Sequence, residues 1–493
     1  MSAPATTSAE RVWFPFTTVT TGFATLVLFV MVMIWPNNGG FWGPGTSAAM
    51  AWIFFVVHVV ACRRQANSFD PIIWVPVLML LFFMGLPIAI ELLGARDTTY
   101  DNWNLGYVPP RLEQGFAVAL LSIVAFIFGV HAAGIRNLSQ RLVREPLADR
   151  GSVFGPAMAL MLGGTAMVLF GIVLVGPGIL FADYGTMKEF ERFGRADFRF
   201  LGTGHLFAQA GVFGVLACHD TRRPLPTWTA VGTAAFLGFM LLMLGDRGGL
   251  SALLFGTGFV FSLCVRRVPW WIVITGFLIA FLAVPLIGEY RAVRGLSGED
   301  TSPIALAART LAEMGGTVLV FCYTLYYIPM VKGYDMGGSF LVQTLSNIPN
   351  FGLNPTGWLF AFDPVAHLPS AWLTSTVHPI KWSVGGGYGY AYPAELYFNF
   401  GFVGVFVGMV ATGFVTSWVR NRAVTSAFWI TFLGLYISMM ALMVRNAVGY
   451  PIRTAAWPLI GLLILRFIWP RPRQAPVFLP QTPVRRTPGP PPR

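Results

Sequence analysis

Apolar residues run in blocks of roughly twenty along most of the chain, the length one helix needs to cross a bilayer core. Arginine clusters or Gly/Pro turns close each block. The pattern predicts about twelve membrane-spanning helices. They fall at 14–35, 46–62, 71–93, 115–134, 153–176, 201–218, 227–244, 248–265, 269–288, 394–418, 424–443 and 454–469. Residues 94–114 and 177–200 become medium loops, and 289–393 a single long loop. Structureless loops of that length are uncommon, so a functional element is expected there. Within it, Ile304–Met314 has a helical pattern with Arg309 and Glu313 four apart. Thr317–Val331 is apolar and aromatic but reads as too short to span, which predicts a re-entrant or interfacial segment.

Composition sharpens this picture. Of 493 residues, 55% are hydrophobic and 11% charged, whereas soluble domains carry about 25% charged residues. A water-soluble fold and a disordered chain are both excluded. The net charge of +12 would suggest nucleic acid in a soluble protein. Here the positive-inside rule accounts for most of it. Arg63, Arg64, Arg136, Arg141, Arg144, Arg150, Arg222, Arg223, Arg266, Arg267, Arg420 and Arg422 all fall on one set of loops, and the tail adds more. That places both termini in the cytoplasm of a multi-pass protein of the bacterial inner membrane, with the long loops outside and no nucleic-acid partner. Residues 1–469 form one transmembrane domain. The Pro/Arg-rich tail 470–493 is expected to be disordered and to lie near anionic lipid.

Cys62, Cys218, Cys264 and Cys322 show no metal-ligand spacing, so no disulfide and no metal are expected. No GxxxxGK[ST], HExxH or GxSxG occurs. No nucleotide cofactor is implied, and a reaction here needs an activated lipid substrate or a gradient.

Several charges sit where apolar blocks meet the outer side. They are Asp246 and Arg247 in GDRGG, Glu289, Arg291 and Arg294 in EYRAVRG, Glu395 in YPAELYFNFG, and Arg445 and Arg453 around VRNAVGYPIR. Ionisable residues near membrane depth are functional candidates by default. The guanidinium fork is always charged and matches phosphate oxygens bidentately. Five arginines on three loops therefore suit a diphosphate carried by a lipid, although any single one can instead snorkel to headgroups. Glu395 has three readings: a general base, a carboxylate that holds an arginine, or a structural ion pair. Among the histidines, His378 is the candidate base. His58 and His131 lie within helices and read as core residues; His205, His219 and His367 have no evident chemistry. Trp358, Trp372, Trp382, Tyr388 and Tyr390 either stack on sugar faces or form an interfacial belt.

Four segments then carry a resemblance. GDRGGLSALLFG, EYRAVRG, EMGGTVLVFCYTLYYIP and GGGYGYAYPAELYFNFGFVGV resemble the oligosaccharide repeat-unit polymerases, the Wzy-type O-antigen polymerases, over roughly residues 230–455. The resemblance implies an all-α polytopic bundle of the GT-C type with a large extracytoplasmic loop. It implies a metal-independent glycosyltransferase that joins polyprenyl-diphosphate-linked oligosaccharide units on the outer face. It also implies flippase and chain-length regulator proteins as partners, beside membrane lipids. Arg247, Arg291 and Arg294 match basic positions of the family, Glu395 its Glu before Asn-Phe-Gly, and Arg445 and Arg453 its late basic turn. Catalysis would fall to Glu395, His378 and Arg291, and diphosphate binding to the five arginines. A ligase-like transferase with the same donor and a polytopic transporter or lipid flippase are the alternatives.

Overall fold

The computed structural model describes residues 8–35, 40–93, 111–138, 147, 149–181, 196–244, 246–279, 303–347, 367–383, 387–423 and 426–469. Glu289, Arg291, Arg294, Trp358 and the tail 470–493 lie outside them, as does the side chain of Arg247. All regular structure among the described residues is helical. The helices are α1 (Ser8–Met33), α2 (Pro44–Cys62), α3 (Pro71–Leu93), α4 (Leu112–Ala132), α5 (Arg150–Val175), α6 (Ala196–Ala217), α7 (Leu225–Leu244) and α8 (Arg247–Cys264). They continue with α9 (Trp270–Ile279), α10 (Pro303–Gly315), α11 (Val318–Tyr327), α12 (Gly338–Asn347), α13 (Pro369–Val377), α14 (Pro379–Ser383), α15 (Tyr392–Ala423), α16 (Ala427–Met443) and α17 (Gly449–Ile468). Nine helices among the described residues have the length and apolarity of a membrane span; Leu201–Ala217, Gly248–Cys264, Trp270–Ile279 and Ala427–Met443 are apolar but shorter.

The bundle is organised around α4, whose side chains from Gln114 to Ile127 are all buried. It packs against α15, α1, α2, α3 and α11. Small residues make the closest crossings. Gly129 of α4 lies on the backbone of Val410, Gly413 of α15 lies on that of Phe126, and Gly164 of α5 meets Ala208 of α6. A side chain at any of these would push the helices apart, which is how packing wins where solvent supplies no hydrophobic force. The outer faces of α1, α2, α5 and α17 instead carry exposed Phe23, Ile53, Val173 and Phe467. An apolar surface of that extent suits hydrocarbon rather than water.

One end of the bundle is pinned by an ion pair that the sequence reading left in a loop. Arg420 is expected past the end of its helix, but α15 runs on to Ala423 and carries Arg420 inward. Its guanidinium meets Asp70 at 2.8–2.9 Å and donates to the carbonyls of Arg136 (2.7 Å) and Gln65 (2.8 Å). Both side chains are wholly buried. This end is called lower below, and the end bearing Asp246 and Arg445 upper.

Two sequence expectations change. Thr310–Lys332 forms a helical run of 23 residues with the apolarity of a span, longer than the expected short segment. α10 closes at Gly315 and α11 opens at Val318, and that glycine lets α10 press onto the backbone of Gly85 and Leu86 in α3. The run meets Phe83 and Gly85 near the middle of α3 and Gly115 toward the upper end of α4. The second change concerns α15. The predicted crossing from 394 is broken at Gly401, whose φ of 63° and ψ of −154° are open to glycine alone. Tyr392–Phe400 folds back there, so that Leu396 lies on Gly404 and Gly408. Tyr392 consequently reaches down to Thr412 and lines an apolar cavity with Val75, Met79 and Met409.

Candidate functional site

Two of the helices that meet the upper turns are short. The first helix, α8, has 18 residues, and the other, α16, has 17, against roughly 20 for a full crossing. The α7–α8 turn and the α16–α17 turn lie side by side, with Gly248 on Leu442. Asp246 is explained locally: its carboxylate accepts the N–H of Gly249 at 2.8 Å as the N-cap of α8.

Arg445 and Arg453 flank the second turn. Arg445 is exposed at the end of α16, with Gly389 against its carbonyl and stem. Arg453 is half-buried, its guanidinium 6.0 Å from the ring centroid of Trp457. Among the described residues neither forms an ion pair.

Glu395 lies beneath this turn and is wholly buried, not at the interface as expected. Folding-back at Gly401 carries it inward. Its Oε1 accepts from Ser339 Oγ (2.9 Å) and Gln343 Nε2 (2.5 Å), and its Oε2 from the backbone N–H of Val448 (2.7 Å). Gln343 also accepts from the N–H of Gly449 at 2.9 Å. Asn399 donates to Ser339 Oγ at 2.7 Å and to the Glu395 carbonyl at 2.8 Å, and accepts the N–H of Gly337 at 3.0 Å. This buried network is closed on itself, and it ties α12 and the short helix to the arginine turn. α12 and its Ser339 and Gln343 went unnoticed in sequence; their only signal is a short amphipathic stretch, GSFLVQTLSN.

His378 ends α13, its N–H on the carbonyl of Thr374 at 2.9 Å. The Thr374 hydroxyl accepts the N–H of Tyr388 at 2.9 Å. Trp372 of the same helix packs on Phe398 with centroids 5.4 Å apart. Thus α13 meets the Tyr388 backbone and Phe398 through Thr374 and Trp372, and no described hydrogen bond joins His378 to Glu395. Of the expected sugar platforms, Trp372, Tyr388 and Tyr390 are core side chains, with the Tyr390 hydroxyl 2.9 Å from that of Thr324. Trp382 remains exposed.

Fold and site together define a polytopic membrane protein, all-helical among the described residues, whose α16–α17 turn carries two arginines. Residues 235–470 match the family model for the O-antigen polysaccharide polymerase Wzy. The matched stretch spans the four segments that carry the resemblance and contains Arg445, Arg453, Glu395 and His378. Comparisons with curated proteins and with solved structures gave no match.

Proposed function

We propose that the protein polymerises polyprenyl-diphosphate-linked oligosaccharide repeat units on the outer face of a bacterial inner membrane. The observation that carries this reading is the arginine turn. Two guanidinium groups without an acidic partner among the described residues flank a backbone loop that Glu395 and Gln343 hold from below. The backbone that carries them is held before the substrate arrives, which helps to pre-position charge for a departing diphosphate.

In the proposed step a sugar hydroxyl of the acceptor unit attacks the anomeric carbon of the donor chain. The carbon–oxygen bond to the diphosphate breaks, and polyprenyl diphosphate leaves with the electron pair. Arg445 and Arg453 bind that charge, joined by Arg247, Arg291 and Arg294 on the strength of the sequence pattern. His378 takes the hydroxyl proton. Glu395 acts as a positioning residue, since its oxygens are already occupied by three donors. The transfer step draws on no metal and no nucleotide, and the membrane itself delivers both lipid-linked substrates.

The test uses the purified full chain and a polyprenyl-diphosphate oligosaccharide, without nucleotide, read as a ladder on a gel. The reading expects a ladder that disappears in the double variant Arg445→Ala/Arg453→Ala. A donor that binds without being extended, with any acceptor unit, would overturn it.

A further inference from the structure

We propose that His58, Cys62 and His131 form a buried site for one thiophilic d10 metal ion, Cu(I) or Zn(II). It lies at the lower end of the bundle, far from the arginine turn, and does not depend on the polymerase reading. His58 and Cys62 are one helical turn apart on α2, so they share a face. His131 comes from the last turn of α4, which packs against that face.

The geometry is that of a ligand set. His58 Nδ1 and His131 Nε2 are 3.0 Å apart, and Cys62 Sγ is 3.6 Å from the same Nδ1. All three ligand atoms lie within 4.8 Å of one another. An ion with nitrogen at about 2.0 Å and sulfur at about 2.3 Å sets these pairs about 3.3 and 3.6 Å apart. The rings need to part by only a few tenths of an ångström. His58 Nε2 lies 2.7 Å from the carbonyl of Ile72. That bond fixes the tautomer and aims the Nδ1 lone pair inward, the usual orienting contact of a metal-bound histidine.

A simple hydrogen-bond chain accounts for less. His131 Nε2–H and the Cys62 S–H both converge on one lone pair, and only one can use it well. An ion at the point of convergence satisfies all three atoms. Charge favours the monovalent ion. A thiolate, two neutral imidazoles and Cu(I) sum to zero, which a site this buried demands; the side chains are 0–1% exposed. Zn(II) leaves one positive charge and prefers four ligands, and among the described residues no fourth His, Cys, Asp or Glu joins the cluster. Binding would expel the thiol proton and clamp α2 to α4.

The experiment takes the full chain, purified in detergent without chelator, and measures copper and zinc by mass spectrometry. Metal-free protein is then titrated with Cu(I) under reducing conditions and separately with Zn(II). The expected result is one ion per chain, copper in preference to zinc, falling to background in Cys62→Ser and in His131→Gln. The glutamine amide can still donate to His58 Nδ1, so a hydrogen-bonding role alone would survive it. Zinc uptake with the same variant losses supports the site and reassigns the ion. No uptake by the wild type, or undiminished uptake by both variants, overturns the proposal. Should the variants fail to reach the membrane, Cu(I) added to the metal-free wild type and followed in the ultraviolet decides. A thiolate-to-copper charge-transfer band that saturates at one equivalent supports the site, and its absence overturns it.

Discussion

Glu395 accepts the backbone N–H of Val448 at 2.7 Å, so a buried carboxylate sets the height of a turn that carries two arginines. Glu395→Gln keeps the volume but turns one acceptor into a donor that faces another donor. A buried donor left without an acceptor costs about 1–3 kcal/mol. We expect a lower melting temperature in detergent, lost polymer and weakened binding of polyprenyl diphosphate. The binding measurement decides the role, because a general base would lose rate and leave diphosphate affinity intact.

Arg445 and Arg453 should behave as forks, not as point charges. Removing a charge-assisted hydrogen bond costs about 1.5–3 kcal/mol, roughly 10–100-fold in affinity. Each alanine variant should weaken diphosphate binding by that factor while membrane expression persists. Arg445→Lys and Arg453→Lys should recover part of it, since lysine retains the charge without the bidentate geometry. Titration with the lipid diphosphate reads both effects.

Gly401 makes the fold-back that buries Glu395. Its φ of 63° and ψ of −154° lie where a side chain costs of order 1–3 kcal/mol. An added Cβ would also stand 3.1 Å from the Tyr334 ring. Gly401→Ala should therefore lower stability and abolish the ladder together, measured by thermal unfolding and by gel. A stable, active Gly401→Ala protein would mean that Tyr392–Phe400 does not need to fold back.

Eight of the nine span-length helices among the described residues fall on predicted spans, because an apolar run of one bilayer thickness is a property of composition. Arg445 and Arg453 stood out because charge is rare in such a chain. What sequence could not show is depth. Glu395 reads as the start of a crossing until Gly401 reverses the backbone, and nothing local distinguishes that glycine from Gly404 or Gly408. Asp70 and Arg420 are 350 positions apart and each looks like a loop residue beside its own apolar run. His58, Cys62 and His131 suffer the same way: α2 and α4 must pack before the three ligand atoms share a centre. Long-range juxtaposition of single polar residues leaves no periodic trace.

The Asp70–Arg420 pair should prove structural and unusually costly to break. Removing one partner of a buried pair typically costs about 3–5 kcal/mol, whereas replacing both by apolar residues is often neutral. Here the double replacement should not be neutral. Arg420 also serves the carbonyls of Gln65 and Arg136, and an apolar side chain would leave both short of that donor. We expect Arg420→Met to destabilise more than Asp70→Leu, and Asp70→Leu/Arg420→Met to stay well below wild type. Thermal unfolding of the four proteins in one detergent measures this. A double variant as stable as wild type would show that the carbonyls find other donors, and that neither the ion pair nor the arginine's backbone contacts hold the lower end together.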